Sequence, residues 1–316
     1  MFKIKSKTLP TIIILLSITL FIINPKTCMN ATSNGLRVWL INVVPALFPF
    51  FILTRIITAL NQTSIPTLDK FTGKFFRTQN SGLVYFLSLL SGYPIGAKMI
   101  SNYYELGAID KSTAIKMFSF CSTSGPMFII GTVGIGVFGD AKIGYILLLG
   151  HIIGSFCNGL LYRGKNMPSN QFTPKITKTS LNDIMYDSII SILLVGGYLV
   201  FASTTIELLK ISNILPLITN LICKIPCFEY NSVYSLLCGI IEITNGLIML
   251  GNATISLNIS IILASFIIAF SGACIMLQSV AFTNKIGIKK STILLQKFTQ
   301  AIFSTLATTL IVLLIM

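Results

Sequence analysis

The stretch LSLLSGYPIGAKMI (residues 87–100) places a lysine, Lys98, in an apolar segment that glycine and proline interrupt. A later stretch, SLLCGIIEITNGLIML (residues 235–250), holds Glu242 in a similar glycine-containing apolar setting. A charge at membrane depth is costly and is usually retained for transport or binding. The two stretches lie at matching places in two halves of one hydrophobic chain, and this correspondence indicates the fold.

The composition of the chain indicates a bilayer as its solvent. Its 316 residues are 53% hydrophobic and 10% charged, with a mean hydropathy of +0.84. Such a chain cannot cover a water-facing surface, so we expect an all-α polytopic membrane protein of the cell membrane. The net charge of +14 does not indicate nucleic acid, because the basic residues lie in short connections between apolar segments.

The apolar segments predict two similar halves that follow an N-terminal anchor helix. In all we expect about seven crossing helices and two re-entrant hairpins, since an apolar helix of about 20 residues spans the hydrocarbon core. The short apolar piece at 211–223 could span, dip into or lie on the membrane. The predicted units are the anchor (1–34), a first repeat (35–162) with a hairpin at 83–101 and a broken helix at 117–138, a cytoplasmic connector (163–183), and a second repeat (184–316) with a hairpin at 233–250 and a broken helix at 257–282.

The distribution of Lys and Arg favours the hairpins, because cytoplasmic connections carry the excess of these residues. If residues 83–101 crossed fully, the basic connector at 163–178 would lie outside and the bias would reverse. With two hairpins that enter from opposite sides, the chain is an inverted repeat; the alternative is that small residues recur only for helix contacts. The scheme has fifteen bases inside (Lys3, Lys5, Lys7, Lys70, Lys74, Arg77, Lys111, Lys116, Arg163, Lys165, Lys175, Lys178, Lys285, Lys289, Lys290) and five outside (Lys26, Arg37, Lys142, Lys210, Lys224).

Polar residues interrupt two further apolar segments, FSFCSTSGPMFIIGTVG (118–134) and IIAFSGACIMLQSVAF (267–282). Unwinding a helix at the midplane frees backbone groups that protein, water or a ligand must satisfy. The N-terminus of a half-helix suits a carboxylate or phosphate group. We expect the breaks to converge on one pocket, with substrate-binding residues Gly92, Tyr93, Lys98, Ser122, Thr123, Ser124, Gly125, Glu242, Thr244, Asn245, Ser271, Gly272 and Gln278.

Both charged residues have alternative readings. Lys98 could complement an anionic ligand, or it could extend to the membrane interface. Glu242 could bind a cation, carry a proton, hold a donor group of the substrate, or pair with a basic residue of the protein. His151 lies in a regular apolar segment and is expected to be a packing residue.

Enzymatic and metal-binding classes find no support in the sequence. Nucleophile-elbow, Walker and zinc-protease motifs do not occur, so we expect no enzyme. Cys223 and Cys227 form the one close cysteine pair, and no second pair or nearby histidine completes a metal site. We expect no cofactor, although a proton or sodium ion could couple to transport.

Four segments carry a resemblance to a known family: GLRVWLINVVPALFPFFI (Gly35–Ile52), SGYPIGAKMI (Ser91–Ile100), CSTSGPMFIIGTVGIGVFG (Cys121–Gly139) and EITNG (Glu242–Gly246). From these the chain resembles the YlbJ type of sporulation integral membrane protein, also called SpoVV. That type is placed in the nucleoside-recognition (Gate) domain group, which is related to concentrative nucleoside transporters.

The resemblance implies a transporter that moves dipicolinate, a small planar dianion, across the outer forespore membrane during sporulation. Two other functions stay open from the sequence: a cation-coupled nucleoside or nucleobase transporter, and a non-transporting membrane subunit of a sporulation or export complex. The expected partners are therefore a small anionic substrate and the lipid bilayer, and a homo-oligomer is compatible with the sequence.

Overall fold

A computed structural model describes residues 8–60, 64–164, 179–226 and 228–316, and these residues form helices and their connections without a strand. Three features of the sequence analysis lie outside the described residues. They are the charged start with Lys3, Lys5 and Lys7, most of the predicted connector (165–178), and Cys227.

The helices follow one another through both halves of the chain. They are α1 (Thr8–Ile23), α2 (Pro25–Ala59), α3 (Pro66–Phe76), α4 (Gly82–Ser91), α5 (Ile95–Glu105), α6 (Lys111–Cys121), α7 (Met127–Val137, wound as a π-helix), α8 (Ala141–Leu161), α9 (Leu181–Ile211), α10 (Ile214–Ile222), α11 (Tyr230–Ile241), α12 (Ile243–Gly251), α13 (Leu257–Phe270), α14 (Gly272–Phe282) and α15 (Lys290–Ile315).

Five helical segments in the described part are long and apolar enough to cross a membrane. They are Pro25–Ala59, Ala141–Leu161, Leu181–Ile211, Leu257–Phe282 and Lys290–Ile315. The prediction of an all-α polytopic membrane protein is therefore confirmed. The number of crossings and the inversion of the second half stay predictions.

The order of elements is the same in the two halves. A long helix (α2 or α9) is followed by a short one (α3 or α10) and by a pair of helices joined at a tight turn (α4–α5 or α11–α12). A broken helix (α6–α7 or α13–α14) and a regular helix (α8 or α15) complete each half. Each half therefore offers one paired-helix tip and one helix break.

The long helix α2 differs from the prediction, which ends the anchor at residue 34 and begins the first repeat at residue 35. The helix starts at Pro25 and continues through that boundary. Residues 39–43 are π-helical and end two residues before Pro45, and Pro49 lies further along the helix. Proline cannot donate the regular backbone hydrogen bond, so a local change of winding is expected here.

Trp39 joins α2 to α9, which packs along it. The indole Nε1 donates a hydrogen bond to the Ile192 carbonyl oxygen at 3.0 Å. The ring lies on Gly196, where an added Cβ would be 2.6 Å from the indole Cε2. Glycine at this position therefore lets the two helices approach closely.

The broken helix of the first half also starts earlier than residue 117. Helix α6 begins at Lys111 because the Asp110 carboxylate accepts a hydrogen bond from the Thr113 backbone N–H and caps the first turn. The apolar pattern alone could not locate this start, since the first turn carries polar residues. The break itself lies at residues 122–126, as the sequence predicts.

Helix α15 packs along α8 and α13. A Cβ at Gly154 of α8 would lie 2.0 Å from the Ser304 hydroxyl of α15, and one at Gly150 would lie 2.0 Å from the Thr308 hydroxyl. Small residues at such contacts allow helices in membranes to approach closely. This close contact fixes the position of α15 against α8.

Candidate functional site

A cavity of about 250 Å³ lies where the two helix pairs meet the broken helices, with α2 and α9 forming its remaining wall. Its volume is just below the range of sites for drug-sized ligands, so it suits a small molecule. Its lining residues are Val38, Asn42, Val43, Ala46, Leu47, Phe50, Leu90, Ser91, Gly92, Tyr93, Ser124, Gly125, Met127, Phe128, Thr132, Val195, Leu199, Glu242, Ile243, Thr244, Cys274, Ile275 and Gln278.

The tip of the first helix pair rests directly on the first helix break. Gly92 has a φ of +84° and ends α4. A Cβ at Gly92 would lie 2.4 Å from the Gly125 backbone nitrogen, and a Cβ at Gly96 would lie 1.8 Å from the Cys121 carbonyl oxygen. Only glycine fits these positions without a shift, so backbone meets backbone at this wall of the cavity.

The second helix pair meets the second break in a similar way. Gly272 has a φ of +67° and begins α14 after Ser271, which is also left-handed. A Cβ at Gly272 would lie 2.9 Å from the Gly239 carbonyl oxygen and 3.2 Å from that of Ile241. In both halves, a left-handed glycine therefore lets the helix pair and the helix break approach each other closely.

Glu242 separates α11 from α12 and is 2% exposed. Its carboxylate accepts hydrogen bonds from the backbone N–H groups of Thr244 at 3.0 Å and Asn245 at 2.8 Å. The Asn245 side-chain amide donates a third bond at 2.7 Å. The half-helix N-terminus that the sequence suggested for an anionic substrate is thus occupied by the protein's own carboxylate.

His151 of α8 reaches the first break, where its Nε2 accepts a hydrogen bond at 2.9 Å from the backbone N–H of Ser124. The side chain is 1% exposed, and its Nδ1 has no hydrogen-bond partner in the described part of the chain. The sequence predicted a packing histidine. The structure gives it a more specific role, because it satisfies a backbone donor that the break frees.

Lys297 of α15 is the main site residue that the sequence analysis missed. It is 1% exposed, and its Nζ donates to the Tyr93 hydroxyl at 2.7 Å, the Ser122 carbonyl oxygen at 2.8 Å and the Gln300 side-chain oxygen at 2.7 Å. One signal in the sequence could have found it. Lys297, Gln300 and Ser304 repeat with helical spacing and form a polar stripe along this helix.

Lys98, by contrast, does not line the cavity. Its Nζ donates to the Asp187 carbonyl oxygen at 3.2 Å and to the Ser191 hydroxyl, both on α9. It also lies 5.0 Å from the centroid of the Phe51 ring. Asp187 in turn pairs with Arg55 of α2, with 2.6 Å between Oδ2 and Nη2. Lys98 therefore joins α5 to the wall formed by α2 and α9.

The structure brings about half of the predicted binding residues to the cavity. Those in its lining are Gly92, Tyr93, Ser124, Gly125, Glu242, Thr244 and Gln278; those outside it are Lys98, Ser122, Thr123, Asn245, Ser271 and Gly272. Ser122, Thr123, Ser271 and Gly272 lie in or beside the breaks, whereas Asn245 lies at the tip of the second helix pair. The hydroxyls of Thr123 and Ser271 are buried without a hydrogen-bond partner among the described residues.

The charge balance of the cavity is acidic. Glu242 is the charged residue among its described lining residues, and the Lys297 ammonium lies one side chain further back, behind Tyr93. Within the described ranges, the structure gathers no group of three or more His, Cys, Asp or Glu side chains that could hold a metal ion.

Comparison with known proteins gives one informative relative. The chain is 25% identical, over an alignment 333 positions long, to the sporulation integral membrane protein YlbJ of Bacillus subtilis (strain 168), and the alignment covers 96% of this chain and 81% of that protein. No protein-family model and no solved structure matches the chain. The near full-length similarity, the all-helical fold and the long apolar helices together support a YlbJ-type integral membrane protein.

Proposed function

We propose that the chain is a secondary membrane transporter that binds a small organic solute in the cavity between its two helix pairs. One observation carries this proposal: both helix-pair tips and both helix breaks contact or adjoin a single cavity of about 250 Å³. Discontinuous helices that meet at a central site are the usual construction of secondary transporters. Packing alone gives no reason to bring four such interruptions together.

The first substrate that we propose is dipicolinate, a small organic anion. The support is the family resemblance of the sequence and the similarity to a protein that is named for sporulation. Dipicolinate is also small and planar, which suits a cavity with the aromatic side chains of Tyr93 and Phe50 in its wall. With this substrate, the membrane would be the outer forespore membrane.

Because Glu242 lines the cavity, a dianion is expected to bind there only together with positive charge. A dianion in the cavity would meet the Glu242 carboxylate, which three N–H donors already stabilise. The Lys297 ammonium offsets that charge from behind Tyr93. The pair contributes no net positive charge, so we expect the dianion to enter together with protons or another cation.

A nucleoside or nucleobase is the second candidate substrate, and Glu242 is the observation that favours it. A neutral heterocycle with N–H groups could donate to the outer lone pairs of this carboxylate and to the hydroxyls of Ser124 and Thr244. Proton or sodium coupling would then act through a different group or through the same carboxylate.

Transport by purified protein in liposomes tests the proposal. We would measure entry of labelled dipicolinate and of a labelled nucleoside, with and without imposed proton or sodium gradients. Saturable flux of dipicolinate supports the first substrate, and flux of the nucleoside alone selects the second. Thermal denaturation would first show that the purified protein is folded. If folded protein then transports neither solute, the result would contradict a stand-alone carrier for these solutes and favour a subunit of a larger complex.

A matched pair of substitutions locates the site. Ala46→Leu adds volume inside the cavity, whereas Ala281→Leu adds the same volume on the exposed face of α14. We expect Ala46→Leu to lower flux several-fold at equal membrane abundance, and Ala281→Leu to leave flux unchanged. Equal flux in both variants would place the substrate elsewhere.

A further inference from the structure

Lys297 is a buried lysine whose hydrogen bonds all end on oxygen atoms of the protein. Its ammonium group has three donors, and three acceptors lie at 2.7–2.8 Å. Among the described residues, it forms no ion pair with a carboxylate. The Tyr93 ring adds a further favourable contact, with its centroid 4.5 Å from Nζ.

The three acceptors come from three separate elements. Tyr93 belongs to the tip of the first helix pair, Ser122 to the first helix break, and Gln300 to α15 itself. The Ser122 oxygen is a backbone carbonyl at the point where α6 ends. Carbonyl oxygens at unwound segments of transporters are groups that commonly coordinate sodium ions. Lys297 thus contacts a backbone carbonyl of the kind that coordinates a sodium ion in other transporters.

We infer that the Lys297 ammonium is a built-in cation of the first helix break, and that it joins this break to the first helix pair in place of a cation from solution. A compact positive charge on a flexible stem is well suited to this position. The break therefore needs no bound sodium ion to keep its shape. Any sodium dependence of the protein must come from another site.

Chemical rescue of a truncated side chain tests this inference without knowledge of the substrate. Lys297→Ala removes the atoms of a propylammonium ion and leaves their space empty. We expect this variant to lose several degrees of thermal stability in detergent. The Ser122 carbonyl loses its Lys297 donor, and the Tyr93 hydroxyl keeps only its 3.4 Å contacts with the Ile268 and Ala269 carbonyl oxygens. Propylammonium chloride should recover a substantial part of that loss.

Three comparisons make the rescue specific. Propanol, a neutral molecule of similar size, should recover much less than propylammonium. The wild-type protein and Lys290→Ala, which truncates an exposed lysine in the first turn of the same helix, should not respond to propylammonium. Equal recovery by propanol would assign the effect to filled space and would overturn the inference, as would no recovery by propylammonium.

Two further measurements decide the matter if Lys297→Ala does not fold. Wild-type protein should have the same thermal stability in sodium chloride as in choline chloride, and specific stabilisation by sodium that Tyr93→Phe abolishes would overturn the inference. Lys297→Gln keeps a donor but no charge and should be less stable than the wild type. Wild-type stability in that variant would also contradict a required cation.

The consequence for transport rests on the proposed function and is measured separately. In liposomes, wild-type flux should not change when sodium is replaced by choline on both sides. Sodium-dependent flux together with successful rescue would place the sodium site away from the first break. Absence of flux would leave the result of the stability measurements intact, so the two proposals fail independently.

Discussion

His151 accepts a hydrogen bond from the backbone N–H of Ser124 at 2.9 Å, across the gap between a regular helix and a broken one. This contact replaces a bond that the intact helix would have made. It also fixes the part of the break that faces the cavity, since Ser124 and Gly125 both line it. The first helix break is therefore held in a defined conformation by side chains of other helices.

His151→Leu should destabilise the protein, because the Ser124 donor would be buried without an acceptor. The expected cost is about 1–3 kcal/mol. His151→Gln retains an acceptor oxygen and should lose less. Thermal denaturation in detergent measures both, with Leu149→Ala on the exposed side of the same helix as the control. Equal stability of the Leu and Gln variants would remove the hydrogen bond as the cause.

Gly92→Ala should impair both folding and flux. The residue combines a φ of +84° with a backbone nitrogen, that of Gly125, which would lie 2.4 Å from the new Cβ. Gly107 is the matched control, because it has a φ of +69° but nothing within 4 Å of an added Cβ. Backbone strain at either site costs about 1–3 kcal/mol.

The difference between Gly92→Ala and Gly107→Ala then measures the close contact alone. We expect Gly92→Ala to be the less stable of the two and to show lower flux at equal abundance. If the two variants have the same melting temperature, the helix-pair tip does not rest on the break as described.

Glu242→Gln should reduce stability, since one amide oxygen replaces a carboxylate that accepts three hydrogen bonds. Glu229 offers a matched control, because its carboxylate also caps a helix start through Ser232 but is exposed. Loss of an N-cap acceptor costs about 0.5–2 kcal/mol. Flux under a proton gradient should fall in Glu242→Gln and persist in Glu229→Gln. Unchanged flux in Glu242→Gln would exclude this carboxylate from coupling and from substrate binding.

Lys98→Ala distinguishes a binding role from a packing role. The observed contacts with Asp187 and Ser191 predict a lower melting temperature with an unchanged KM for transport. A substrate-binding lysine would instead raise KM. Lys142→Ala, at an exposed lysine near the start of α8, is the control for a general loss of positive charge. A raised KM at unchanged stability would restore Lys98 to the site.

The sequence revealed the interruptions of the helices but not what stabilises them. Glycine, serine and proline at residues 122–126 and at Ser271 identify the breaks, because these residues disfavour a continuous helix. The hydrogen-bond partners of the first break come from α8 and α15, which are regular helices. Whether Lys297 and His151 point into the protein or toward lipid depends on how those helices rotate, and rotation is fixed only by packing with neighbours.

For Lys98, the sequence predicted a buried position but not the side of the helix on which the side chain lies. Its position in a glycine-rich apolar stretch correctly marks a residue with buried partners, but the local sequence cannot tell which side of α5 faces the cavity. Helix α5 turns that side chain toward α9, where a carbonyl and a hydroxyl accept its hydrogen bonds. The spacing of residues along one helix therefore locates a buried charge but does not identify the residues that it contacts.

Trp39 is the sole tryptophan of the sequence, and its neighbours Val38 and Asn42 line the cavity. The protein therefore carries an intrinsic fluorescent reporter at one place, with its indole N–H bonded to α9 and its ring on Gly196. The fluorescence of that indole, excited selectively, reports on the contact between α2 and α9 in the unmodified chain. Titration with each candidate solute can then detect rearrangement of this wall without a label.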